Sequence, residues 1–113
     1  MTESLRQKQS RFAAMIPRLI DKAIELGYEV TLGDAFRDHR LHGEPGVKMG
    51  YGHSKSCHKL RLAIDLNLFK DGKFLSGSED HKPLGMWWES QGGTWGGRFQ
   101  DGNHYSIEHQ GMK

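Results

Sequence analysis

Residues 4 to 26 place apolar side chains three and four positions apart. Phe12, Met15, Ile16, Leu19, Ile20, Ala23, Ile24 and Leu26 fall on one stripe, which predicts an amphipathic helix facing a core. Ser4 with Gln7 has the form of a capping box, and Gly27 suits the stop. Pro17 lies inside the pattern and either kinks the helix or opens a second one. The pattern then changes period. Residues 28–36, "YEVTLGDAF", predict a strand, as do 61–69 and 73–75, the last two joined at Asp71-Gly72, a hairpin-turn pair. Residues 38–57 show little periodicity and predict a long loop. Residues 81–90, "HKPLGMWWES", predict a short helix, "QGGTWGGRFQDGN" a glycine-rich loop, and "HYSIEH" a last strand.

With 113 residues the chain is expected to be one domain, 1–113, with no internal repeat. Of its residues 35% are hydrophobic and 27% charged, and no apolar run approaches the roughly 20 residues of a membrane span. The polar start, "MTESLRQKQSRF", predicts no secretory signal peptide. A single cysteine, Cys57, excludes an internal disulfide and is expected as a buried or inert thiol. The net charge of +2 is mildly basic, with Lys and Arg scattered rather than clustered. That favours an anionic partner and carries no nucleic-acid-binding signature. The expected fold class is α+β, an N-terminal helical segment packed on a small, mainly antiparallel sheet.

The stretch "SCHKLRLAIDLNLF" interrupts the simple picture. In a strand Leu60, Leu62, Ile64, Leu66 and Leu68 face the core, and Arg61, Ala63, Asp65 and Asn67 face the other way. Asp65 is a carboxylate in the middle of an apolar run, which is costly unless a charged partner sits beside it. His58 precedes it by seven residues. Two ligands of one zinc ion lie within about 4 Å of each other, so the chain must double back over Lys59 to Arg61 if they share a metal. A further histidine, His104, follows Asp101 by three in "DGNHYS". Two histidines and one carboxylate with an open fourth position have the composition of a catalytic zinc site, and Asp101 would stand beside it as a base. Asp65 paired simply with Arg61, and Arg37 paired with Asp34 or Asp38, are the structural alternatives. Trp87, Trp88 and Trp95 are expected in the core, Trp95 with a second possible place along a substrate groove. His39, His42, His53, His81 and His109 are expected at the surface.

"SCHKLRLAID" followed by "DGNHYS" resembles the two motifs of the M15 zinc peptidases, which include D-Ala-D-Ala carboxypeptidases and phage L-alanyl-D-glutamate endopeptidases. The resemblance spans roughly residues 30–106. It implies zinc held by His58, Asp65 and His104, Asp101 as general base, Arg37 stabilising charge at the reacting centre, and Ser56 in support. Arg61 stands where the family has glycine. "TWGGRF", "AIDLNLF" with "DGK", and an aspartate in the base position look like the endolysin branch. That branch implies cleavage of the peptidoglycan stem peptide by a monomer made in the host cytoplasm and released to the wall with a holin or similar help. The alternatives are a D-Ala-D-Ala carboxypeptidase and a catalytically silent domain that keeps its metal.

Overall fold

The computed structural model describes residues 3–35 and 57–110. Helix α1, Leu5–Glu25, begins at the expected capping box, with Gln7 N–H donating to Ser4 Oγ at 3.1 Å and Ser4 N–H to Gln7 Oε1 at 2.9 Å. Pro17 neither ends nor divides it. Phe12, Leu19 and Ala23 are buried on the predicted stripe, whereas Ile24 is 59% exposed and lies off the buried face. Gly27 adopts φ +95° and turns the chain into β1, Glu29–Leu32. That conformation favours a residue without Cβ.

The central strand is β2, Ala63–Lys70. It pairs antiparallel with β1 on one edge. Its other edge is shared by β3, Lys73–Phe74, at one end and β5, His104–Ser106, at the other. Strand β4, Thr94–Trp95, pairs with β5, giving a sheet ordered β1-β2-β5-β4 with β3 beside β2. All described pairings are antiparallel. Asp71 and Gly72, with φ of 52° and 76°, make the tight turn between β2 and β3. Both positions need positive φ in a type I′ hairpin turn.

Helix α2, Lys82–Ser90, follows a 3-10 turn at Ser78–His81 and carries Pro83 in its first turn. The segment expected as plain glycine-rich loop, 91–103, instead holds β4 and a 3-10 turn at Gly96–Phe99. Glycine makes this ordering possible through close approach. A Cβ on Gly85 or Gly97 would collide with the Trp95 indole, and one on Gly93 with that of Trp88.

The core lies between the helices and one sheet face. Ile64, Leu66, Leu68, Trp95 and Tyr105 point into it and meet Phe12, Leu19, Leu84 and Trp88. Trp88 packs edge-on against both Phe12 and Tyr105. Its indole N–H donates to the Ser106 carbonyl at 3.0 Å, so the buried polar group is satisfied. The predicted alternation along β2 holds from Ile64 onward: Ile64, Leu66 and Leu68 are buried, and Asp65 and Asn67 lie on the opposite face.

Candidate metal centre

Register creates the site. Asp65 on β2 and His104 on β5 are direct cross-strand partners. Side chains so placed project from the same face a few ångströms apart. Their neighbours Ile64 and Tyr105, also partners, point the other way into the core. One face of the β2–β5 pair therefore holds the fold together and the other presents donors.

His58 arrives by a different route. Cys57–Leu60 form a 3-10 turn, Arg61 takes φ +58°, and Leu62 N–H bonds back to the Cys57 carbonyl at 2.9 Å. The chain doubles back where the sequence required it. Arg61 occupies a left-handed conformation that glycine adopts with less strain. Cys57 is fully buried, its thiol donating to the Ile107 carbonyl at 3.3 Å. Burial pushes the thiol up to about 12, so it stays protonated at neutral pH.

Three donor atoms converge. His58 Nε2 is 3.0 Å from Asp65 Oδ1 and 3.2 Å from His104 Nδ1, and His104 Nδ1 is 3.8 Å from Asp65 Oδ1. A point equidistant from three such corners lies about 2.0 Å from each, the length of zinc–nitrogen and zinc–oxygen bonds. Tautomer logic agrees. His58 Nδ1 is 3.3 Å from the Ala35 carbonyl, which can only accept. In the neutral ring the Nδ1 proton goes there and Nε2 presents its lone pair toward a carboxylate and a second imidazole. Such donors face one another comfortably around a cation, and a ligating histidine held through its other nitrogen is the usual arrangement. His58 is fully buried, His104 is 3% exposed, and the Asp65 side chain retains 14% exposure, so the cluster opens to solvent on the carboxylate side.

Asp101 stands at that cluster without being one of its converging donors. Its Oδ2 is 3.9 Å from His104 Nδ1, and its side chain is 51% exposed. The loop carrying it is tightly specified. Asp101 N–H donates to the Gly96 carbonyl at 2.8 Å, and His104 N–H to the Asp101 carbonyl at 3.1 Å. A Cβ on Gly96 would strike the Asp101 carbonyl oxygen. Trp95, buried in the core, donates its indole N–H to the Gly102 carbonyl at 2.7 Å, and Gly102 N–H donates to Ser78 Oγ at 3.0 Å. Trp95 thus anchors the loop from below.

The structure brings together His58, Asp65, His104 and Asp101. Arg37 and Ser56 lie outside the described residues. Asp65 Oδ1 lies 3.0 Å from His58 Nε2 and 3.8 Å from His104 Nδ1, so it faces both histidines. His39, His42 and His53 also lie outside the described residues; among those described, His81 differs from expectation. His81, expected at the surface, is 3% exposed, and its Nδ1 is 2.7 Å from the Tyr105 hydroxyl. Burial pulls its imidazole down to about 4, so at neutral pH the ring is uncharged and the phenol donates to Nδ1. Tyr105 is shifted up by the same cause. Nothing local in "EDHKPLG" marks His81 as interior, because its partner lies 24 residues away.

Residues 50–107, just over half of the chain, match the family model described as D-alanyl-D-alanine carboxypeptidase, within the M15 peptidases. That span includes His58, Asp65, Asp101 and His104. No curated protein matches the chain.

Proposed function

The chain belongs to the M15 peptidase family, and on that premise we propose that it is a zinc-dependent endopeptidase of the phage endolysin type, hydrolysing the L-alanyl-D-glutamate amide bond of the peptidoglycan stem peptide. The observation that carries this reading is the triangle of His58 Nε2, Asp65 Oδ1 and His104 Nδ1 with Asp101 Oδ2 beside it, 3.9 Å from His104 Nδ1.

His58, Asp65 and His104 would hold the metal. Zinc, when bound, supplies Lewis-acid chemistry, making an attacking water more acidic and polarising the scissile carbonyl. The protein's own groups do the rest. Ala35 and Tyr105 fix the scaffold: the Ala35 carbonyl orients the His58 ring, and Tyr105, the neighbour of His104, locks β5 into the core. Asp101 Oδ2, exposed enough to meet substrate, accepts the proton of the attacking water and passes it to the departing amine. Arg37 stabilises the developing oxyanion or a substrate carboxylate, in keeping with the motif resemblance. Ser56 supports His58 from two positions earlier. An aspartate as base, where the carboxypeptidases carry glutamate, supports the endopeptidase branch. The enzyme would act as a monomer, made in the host cytoplasm and passed to the wall with a holin or comparable partner.

The description of the matching family favours a second reading, release of the terminal D-Ala. Mass spectrometry of muropeptides after digestion separates the two. The endopeptidase exposes a new L-Ala carboxyl and D-Glu amine, and the carboxypeptidase releases free D-Ala. Chelator should stop the cleavage. Intact muropeptides after prolonged incubation with zinc-loaded protein would overturn both.

A further inference from the structure

Along the far edge of β2, strand β5 pairs with Ala63 to Asp65 and β3 with Phe69 and Lys70; Leu66 N–H donates to the Asn103 carbonyl and Leu75 N–H to the Leu68 carbonyl, and a notch lies between the two strands. A cavity of about 180 Å³ fills this notch. Asn67 forms part of its lining, as do Ser76, His81, Gln100, Asp101 and Asn103. Two features join it to the metal centre. Asp101 borders both. Asn67 lies on the same face of β2 as Asp65, two residues and about 6.6 Å along the strand.

The chemistry of the lining is specific. None of its described residues is a lysine or arginine. Amides, hydroxyls and loop main chain dominate, with the Asp101 carboxylate at the margin. Among the described residues the lining offers a terminal carboxylate no cation, and the Asp101 carboxylate faces it with a like charge, an arrangement that disfavours binding. Main-chain amides of a peptide fit, because they both donate and accept. His81 adds a fixed donor. With Nδ1 taken by the Tyr105 hydroxyl, the neutral ring carries its proton on Nε2, and the ring borders the cavity. The volume is below the roughly 300–1,000 Å³ of clefts that enclose a whole drug-sized ligand, so it suits a piece of a chain that continues beyond it.

We propose that the notch between β3 and β5 is a specificity subsite that holds main-chain amides of the peptide substrate beside the scissile bond, with Asn67 and His81 as positioning residues. The proposal rests on the peptidase reading above and deepens it.

The test is steady-state cleavage of soluble muropeptide by zinc-loaded protein and three variants. Ser76 is exposed, so Ser76→Trp blocks the notch without entering the core. It should raise KM about tenfold or more, corresponding to ~1.4 kcal/mol of lost binding, while zinc content and melting temperature stay unchanged. Asn67→Ala, which removes an amide and introduces no bulk, should shift KM the same way. Ser76→Lys should not improve binding. If wild-type protein cleaves muropeptide and Ser76→Trp and Asn67→Ala keep its KM, the subsite is wrong and the peptidase reading stands. A fall in KM for Ser76→Lys would reveal a carboxylate occupant and overturn the proposal. A wild-type protein that cleaves no muropeptide overturns the peptidase reading, and the subsite with it.

Discussion

The buried His81 makes a quantitative demand on how the protein meets acid. Its ring ionises near 6.5 when solvated and near 4 in the fold, because burial penalises the cation more than neighbouring Asp80 favours it. The sign follows from which state takes up the proton first. Above pH 6.5 the ring is neutral whether folded or unfolded, and it contributes no pH dependence. Between 6.5 and 4 the unfolded chain binds a proton that the native one refuses, so stability falls as pH falls. Below 4 both states are protonated and the loss levels off. Each tenfold drop in proton affinity costs about 1.36 kcal/mol, so the native state should lose about 3 kcal/mol from this group between pH 7 and pH 4. That is a large fraction of a small domain's roughly 5–15 kcal/mol. The assay is urea denaturation of the wild type and His81→Gln across that range. Gln keeps an acceptor for the Tyr105 hydroxyl and cannot be protonated. Carboxylates and the other histidines titrate in both proteins and cancel in the difference. His81→Gln should be the less stable at pH 7, and its deficit should shrink by about 3 kcal/mol by pH 4. A deficit that stays constant with pH would show that His81 is not held neutral by burial, and the Tyr105 hydrogen bond would lose its assigned direction.

Two further substitutions probe the loop beside the metal centre. Asp101→Asn keeps side-chain size and cannot accept the proton, so turnover should fall about 100- to 10,000-fold with zinc content and melting temperature unchanged; loss of zinc in metal analysis would make Asp101 a ligand and Glu108 the next candidate for the base. Gly96→Ala forces a Cβ against the Asp101 carbonyl and toward the His104 Cβ. It should destabilise by about 1–3 kcal/mol in thermal unfolding and depress turnover as Asp101 shifts, and wild-type values for both would refute the close approach.

Much of this arrangement was legible in the sequence because the signals were local. The helical stripe and the Ser4–Gln7 box gave α1, and strict alternation gave the two faces of β2. Asp65 in the middle of that alternation forced the question of its partner, and residue chemistry pointed to His58 and His104. The mechanism of their convergence was not local. It depends on a register that sets Asp65 opposite His104, and on Arg61 turning left-handed to return His58. The ordering of residues 94–99 was hidden because a two-residue strand has no period and its glycines signal loop. Only the indoles of Trp88 and Trp95, packed against Gly93, Gly85 and Gly97, show why those glycines belong to structure. His81 was misplaced for the same reason, since burial was decided by Tyr105 on a distant strand.

The central claim is that His58, Asp65 and His104 form one metal centre on which hydrolysis depends. Zinc titrated into metal-free protein, with bound metal and muropeptide turnover read from the same samples, tests it most directly. Activity should be absent at the start, rise in proportion to bound zinc and saturate at about one equivalent, and His58→Ala should neither retain the metal nor recover turnover. Full turnover in chelator-treated protein, or unchanged zinc binding in His58→Ala, would contradict the account.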